Sequence, residues 1–525
     1  MLLKPEFPTF LIAILLLTSF TVPQAQASPN DSASIEDVVY KVSTYVEDIR
    51  SLSFKHKLPI ELVSREEVAS ILKLSEWGGW ELAQQEYEAL YLIPPGVSAK
   101  ELLEDFYSSA ILGYYSIEKK KIIIVEEIEG SLDKNVLAHE LTHALLDQYY
   151  PEIFKKNYDL TDKDLAISAL LEGDAELVEE LYAKAVEEGI YQDCDVNFNL
   201  VSTQSYLRII YIQYFPYFEG YNFVKRLQNQ GGWEAVNQAY LNPPESTEQV
   251  IHPSKYPWEK PVNVEVKGGG FKGWSRLGDD ILGEAAIFIM FWNQGLVGFP
   301  YSVEGRLTCN SPLSDGWAGD QMVVYKKNGE YGYVWLLLWD TKQDASEFLA
   351  GYLEMLRLMD ASQMDGAWRV SANDYVTIWQ EEEKVTIVNA PLPQQIDEIM
   401  LAAGLLPIKV EIFKVNELKG ALEFMLSFRN LTPEDQPATV IVQIKDSKGR
   451  IVGLSYVSGF LPASSSLGFN MYSVIAEPGI YQAELYVWRS FKDPIPLASP
   501  QSIEVEVDGW FVRFAEAPPN LGGVG

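Results

Sequence analysis

The segment AHELTHALLDQYY, Ala138 to Tyr150, constrains this chain more than any other. The 525 residues include only four histidines, and two of them, His139 and His143, flank Glu140 here. An α-helix rises about 1.5 Å per residue and turns every ~3.6, so this spacing puts both imidazoles on one face, about 6 Å apart along the axis. A helix from Asp133 to Tyr150, stopped by Pro151, is the expected context. A fold built on it must bury two imidazoles and a carboxylate and bring a partner to them from elsewhere in the chain.

Both imidazoles can reach one ion. Neutral imidazole and carboxylate suit Zn2+, and a catalytic zinc site takes three protein ligands, leaving its fourth position to water. The third ligand is expected from the next long helix, Asp162 to Glu188, whose run ALLEGDAELVEE opens its acidic part with Glu172. Gly173 is informative, because glycine inside a helix costs about 1 kcal/mol against alanine and implies close approach of a backbone or a ligand. Glu176, one turn on, shares that face and is placed to accept the outer N–H of a ligand histidine. A solvated acidic face accounts for Glu179, Glu180 and Glu187. Thr161 and Asp164 are spaced as a capping box for this helix, and Gly189 as its stop.

Around this centre the pattern reads as a multidomain α+β chain. Helices are expected over Ile35–Phe54 and Ser98–Leu112, then a hairpin of Gly113–Ile117 and Lys121–Val125, and helical, aromatic-rich segments continue to Tyr240. Gly268 to Gly270 reads as a linker. Strands flanking Asn328-Gly329, a helix over Lys342–Met359 and strands near Tyr375–Trp379 and Lys384–Val388 suggest a ββαββ module. From Pro407 about seven short alternating strands within roughly 100 residues predict an Ig-like β-sandwich. The expected borders are a signal peptide at 1–27, a mainly helical metal-binding domain with a small upstream sheet at 28–275, an α+β module at 276–403, the sandwich at 404–512 and a loose tail at 513–525. Whether Ser28 to about Ser98 belongs to the mature domain or is a removable pro-segment is left open.

The signal peptide rests on Lys4, the apolar run Phe7 to Val22 and the small residues before Ser28, with an uncleaved anchor as the alternative. Both place the protein outside the cytoplasm, secreted or at the cell surface. Ala285 to Trp292 is apolar but too short to span a bilayer, which needs about 20 residues. A net charge of −33 argues against nucleic acid and anionic lipid as partners. Cys194 and Cys309, in an exported chain, are candidates for a disulfide.

VLAHELTHALLDQ, preceded by GYYSIEKKKIIIV and followed by ALLEGDAELVEE, resembles the gluzincin zinc metallopeptidases, of which thermolysin is the familiar member. With STEQVIHPSKY and GWAGDQ, these pieces resemble more closely a group of exported bacterial and archaeal HELTHAL-type proteins. The resemblance covers Gly113 to Tyr256 well, Asp315 to Val388 weakly and the C-terminal sandwich not at all. It implies a zincin-like fold, His139, His143 and Glu172 as zinc ligands, and Glu140 as general base. It also implies that Asp147 supports the zinc helix and that Tyr114, Tyr115, Ser116 and Ile117 form a cleft-edge strand pairing with extended substrate.

The expected activity is hydrolysis of polypeptides by an exported endopeptidase, with zinc polarising the scissile carbonyl and Glu140 moving the water proton to the leaving amine. His252 is the expected oxyanion donor, with Tyr256 and Tyr206 behind it. His56, between two lysines, reads as a surface residue. The competing reading is a surface binding protein with a structural or vestigial metal site and a working Ig-like domain, which would also provide any cell-surface association.

Overall fold

The computed structural model describes residues 35–64, 66–67, 78–111, 113–126, 133–155, 161–191, 207–364, 367–418, 421–432, 434–475, 477–494 and 496–507. The expected signal peptide, Cys194, Tyr206 and the tail 513–525 lie outside the described residues. The chain is α+β and divides into two compact units, Met1–Val266 with Ser275–Ile396, and Lys267–Trp274 with Asp397–Gly525.

In the first unit, helices α1 (Ile35–Arg50), α2 (Trp80–Ala89) and α3 (Ala99–Ala110) come first, with strands β1 (Ile60–Ser64), β2 (Gly113–Ser116) and β3 (Lys121–Glu126). Ser98 caps α3 as expected, its side chain accepting from the Glu101 amide. The strands form one sheet in the order β1–β3–β2, with β1 parallel to β3 and β2 antiparallel to it. Sequence patterning anticipates the β2–β3 hairpin but not β1, whose parallel partner is remote in sequence. The hairpin turn closes without glycine or asparagine because Lys120 takes a left-handed conformation, φ 50°.

Helix α4 (Lys134–Tyr149) starts at Asp133, whose side chain accepts from the amides of Asn135 and Val136. It is buried on every face from Val136 to Asp147. Val42 and Val46 of α1, Tyr115, Ile122 and Ile124 of the sheet, and Val178 and Tyr182 of the next long helix enclose it. The segment left open as a pro-segment thus supplies a wall of this core through α1 and a strand of the sheet through β1.

The short α5 (Pro151–Lys155) leads to the long α6 (Thr161–Glu187), α7 (Leu207–Leu241), α8 (Thr247–Ile251), α9 (Gly283–Asn293) and α10 (Lys342–Leu358). The local capping box expected for α6 does not form. Asp280, far along the chain, takes both the amide and the hydroxyl of Thr161. Helix α7 is interrupted at Gly231 and Gly232, where the backbone leaves helical φ/ψ. Antiparallel strands Trp274–Asp280, Trp317–Lys327, Glu330–Trp339, Lys384–Ala390, Asp374–Glu381, Ala367–Ser371 and Ser362–Met364 follow one another across a sheet in that order.

The border expected at 275/276 does not separate two cores. Leu170 and Leu171 of α6, Phe215 and Phe223 of α7, the whole apolar face of α9, and Trp335, Trp339 and Phe348 of the later sheet and α10 belong to one buried cluster. Helix α9 is why: Ala285 to Phe291 is apolar all round, so it can only be stable when covered by both halves.

Among the described residues, the second unit from Ile408 onward forms seven strands in two sheets. One runs Ile408–Leu418, Ala421–Asn430, Ser466–Val474; the other runs Ile451–Leu461, Gln436–Asp446, Gly479–Trp488, Pro496–Val507. Alternate residues such as Leu422, Phe424, Leu426, Val440, Val442 and Leu485 form its core. The triple glycine is not a free linker: a Cβ on Gly268 would lie 2.0 Å from the Ala402 carbonyl oxygen, and its amide donates to Ala403 at 3.1 Å.

Candidate metal centre

Helix α4 presents His139 and His143 on one face, their ring centroids 4.8 Å apart and nearly perpendicular. Helix α6 crosses it and delivers Glu172. Glu172 Oε2 lies 3.1 Å from His139 Nε2 and 3.5 Å from His143 Nε2. One ligand-bearing atom from each of the three residues therefore falls within 4.8 Å of the others, and all three side chains are buried.

This arrangement fits a zinc ion on the chemistry of its donors. Burial lowers both imidazoles, His143 to about 3, so each is neutral and carries a free lone pair. Neither nitrogen of His143 completes a hydrogen bond, nor does either oxygen of Glu140. Buried polar atoms are otherwise nearly always paired, and leaving one bare costs about 1–3 kcal/mol. Two imidazoles and a carboxylate leave a coordination position open, as catalytic zinc sites do, whereas structural sites close it with a fourth protein ligand.

Glu140 sits between the two histidines in sequence and is wholly buried. Burial pushes its carboxyl well up, Glu172 adds to this, and the Tyr115 backbone N–H opposes it. That amide belongs to β2, an outer strand of its sheet, so the expected edge strand borders the carboxylate. Tyr114, Tyr115 and Ser116 are in the strand, while Ile117 already belongs to the turn.

Two supporting assignments change. Glu176 does not hold a ligand histidine; it is ion-paired with Arg306, whose position far along the chain local spacing cannot reveal. Glu179, assigned above to a solvated face, lies 3.1 Å from His139 Nδ1, and a hydrogen bond there leaves Nε2 with its lone pair toward Glu172 and His143. Burial raises the Glu179 carboxyl to about 7, with Arg306 opposing. Asp147 bonds to no histidine. It accepts from the Tyr115 hydroxyl at 2.6 Å and from Lys120, so it fastens the edge strand to α4.

His252 also differs from expectation. Its Nε2 is 3.0 Å from Glu284 and 3.5 Å from Asp315, in a cluster separate from the His139 site. Its neighbours are equally committed to holding α8 in place: Ser246 caps α8 through Gln249, Thr247 binds Asp162, and Lys255 joins Glu248, Glu259 and Asp340. Tyr256 donates to the Asn242 carbonyl. The run STEQVIHPSKY is thus a set of buried polar cross-links. Cys309 is buried with its thiol pushed well up by desolvation, and its expected partner is outside the described residues.

The residue the sequence reading missed is Tyr217. Its ring stacks on His139 with centroids 6.4 Å apart. Burial raises its phenol strongly, and Glu172, Tyr107, Glu140 and Glu176 raise it further, so the hydroxyl stays protonated. Glycines bring it there. A Cβ on Gly173 would fall 2.0 Å from the Gly220 carbonyl oxygen, and one on Gly220 would fall 2.1 Å from that of Ala169. The close approach implied by Gly173 is therefore a backbone, that of α7, and Tyr217 lies one turn before the crossing. A second glycine in a helical run was the available signal.

A buried pair also stiffens the ligand helix. Arg50 of α1 meets Asp174 at 3.0 Å with both side chains inaccessible, and Tyr240 donates to the same carboxylate.

Comparison with known proteins identifies no function. The profile of a family described as Domain of unknown function (DUF8575) matches residues 273–400, outside the metal centre. No curated protein matches the chain. Among solved structures, a β-glucuronidase from glycoside hydrolase family 2 matches 24% of this chain and 13% of its own at 13% identity, TM-score 0.17. A calcium-binding mutant of Bacteroides uniformis β-glucuronidase 2 matches 23% and 15% at 12% identity, TM-score 0.17. A penta-heme cytochrome c552 from Thermochromatium tepidum matches 19% and 40% at 13% identity, TM-score 0.14. Likenesses this partial bear on neither fold nor activity. Among the described residues no helix is long and apolar enough to cross a membrane.

Proposed function

We propose that this protein is an exported zinc-dependent endopeptidase of the gluzincin type. The observation that carries the reading is the convergence of His139, His143 and Glu172 on one buried point, beside a Glu140 carboxylate whose oxygens complete no hydrogen bond. His139 Nε2, His143 Nε2 and Glu172 would hold the ion, which when bound supplies a Lewis acid for the scissile carbonyl and for water.

The chain's own residues do the rest. Glu140 accepts the proton of the attacking water and returns it to the leaving amine, the work of a general base worth about 10²–10⁴-fold. A carboxyl pKa raised by burial favours that shuttle, since it makes the carboxylate a stronger base. Tyr217, rather than His252, donates its hydroxyl to the developing oxyanion, and β2 offers its outer edge to an extended polypeptide. Glu179 fixes the tautomer of His139. Action outside the cytoplasm rests on the apolar N-terminal run and the small residues that follow it.

The test is digestion of casein by wild type and Glu140→Gln at equal zinc loading. Cleavage by wild type that falls at least about 10²-fold in the variant, with zinc retained, supports the reading. Equal inertness on casein and on a broad peptide library sinks it.

A further inference from the structure

His252, Glu284 and Asp315 come from three separate segments: the end of α8, the first turn of α9 and the turn preceding Trp317. His252 Nε2, Glu284 Oε1 and Asp315 Oδ1 lie within 4.8 Å of one another. Glu284 is completely buried, yet only Oε1 has a partner; Oε2 completes no hydrogen bond.

Three other buried carboxylates of this unit are engaged on both oxygens. Asp320 accepts from the Leu282 and Gly283 amides and from the indole N–H groups of Trp317 and Trp335, both oxygens engaged. Asp280 accepts on both oxygens from Thr161 and again from the Ile281 amide. Glu219 accepts from Thr308, the Cys309 amide and Asn222. Where carboxylates crowd without such donors, a cation is present: the Lys255 ammonium sits 2.7–2.8 Å from Glu248, Glu259 and Asp340. The His252 cluster has two carboxylates, one bare buried oxygen and no Lys or Arg bridging them.

We propose that His252, Glu284 and Asp315 form a second metal site, which takes a divalent transition-metal ion such as Zn2+ or Mn2+. One imidazole nitrogen with carboxylate oxygens suits these ions better than Ca2+ or Mg2+, which prefer all-oxygen shells. Asp315, 51% exposed at its side chain, provides the entry path, while Glu284 gains a partner for Oε2. Such an ion ties α8, α9 and the approach to Trp317 into one joint and takes no part in peptide cleavage. The competing account is a plain histidine–glutamate ion pair with a bound water.

The test is zinc stoichiometry of the full chain, stripped with chelator and titrated with ZnCl2, in wild type, His143→Ala, His252→Gln and Asp315→Asn. Two equivalents in wild type are expected, one surviving in His143→Ala. Asp315→Asn, at a half-exposed position that leaves the fold intact, should weaken the equivalent retained by His143→Ala about tenfold or more. Adding His252→Gln should abolish that equivalent while the near-ultraviolet circular dichroism of the protein is kept. One equivalent in wild type and none in His143→Ala overturns the second site, as does a second equivalent indifferent to His252 and Asp315. One equivalent that survives His143→Ala but not His252→Gln would overturn the first site and keep this one.

Discussion

Helix α6 carries two kinds of buried carboxylate, and the difference between them locates the chemistry. At its start, Asp162 binds the amide and hydroxyl of Thr247, and the adjoining Asp280 and Asp320 accept on both oxygens. At its middle, Glu172 faces two histidines across from Glu140, whose oxygens complete no hydrogen bond. Burial raises Asp162 and Asp280 alike to about 7 and raises Glu172 and Glu140 as well, so perturbed acidity does not tell the regions apart. Saturation together with convergence does. A carboxylate engaged on both oxygens is a joint between elements; a bare oxygen marks a site only where ligating groups converge beside it, as at Glu140, and not at Asp147 or Asp174, which also keep one oxygen without a hydrogen bond.

Tyr217→Phe should produce the largest break in this contrast. If its hydroxyl serves the oxyanion, kcat on a peptide substrate falls about 10²–10³-fold while zinc content and melting temperature stay unchanged. An unaltered kcat would return Tyr217 to simple packing against His139.

Asp320→Asn probes the saturated end. The amide retains one acceptor and turns an NH2 toward N–H donors, so unfolding free energy should drop by about 1.5–3 kcal/mol. Zinc per folded molecule should not change; if zinc is lost at full stability, the division between joint and site is wrong.

Glu179→Gln should weaken zinc binding about 10–100-fold, because the His139 Nδ1–H loses a charged acceptor. Glu176→Gln, which breaks only the Arg306 pair, should change it by clearly less. The reverse order would restore the assignment made from helical spacing.

The smallest effect is expected from Tyr115→Phe. Losing the bond to Asp147 costs about 0.5–1.5 kcal/mol and should appear as a raised KM for extended peptides, since it loosens β2 rather than the chemistry. A fall in kcat with KM unchanged would instead mean that Tyr115 positions Glu140.

What could be read from the sequence follows from how local each signal is. His139, Glu140 and His143 are legible because a helix fixes their relation within two turns, and Glu172 because an acidic run beside a glycine is informative by itself. Helical spacing ranks Glu176 above Glu179 and is overturned, because the choice is made by Arg306, remote in sequence, which pairs with Glu176 and leaves Glu179 to His139. His252 was misplaced because its partners, Glu284 and Asp315, are remote in sequence. The border at 275/276 failed for a related reason: composition changes there, but α9 must be covered on all sides and welds the two halves together. Strands β1 and Ser466–Val474 escaped patterning because their pairings, with β3 and with Ala421–Asn430, are set by tertiary contact.

The central claim is that His139, His143 and Glu172 hold a catalytic zinc. X-ray absorption at the zinc edge, on His252→Gln protein loaded with one equivalent, tests it most directly. The account predicts two imidazole nitrogens, carboxylate oxygen and a further light-atom ligand exchangeable with solvent, a spectrum lost in Glu172→Ala and kept in Glu176→Ala. A closed shell of four protein ligands, or a spectrum indifferent to Glu172, would contradict it.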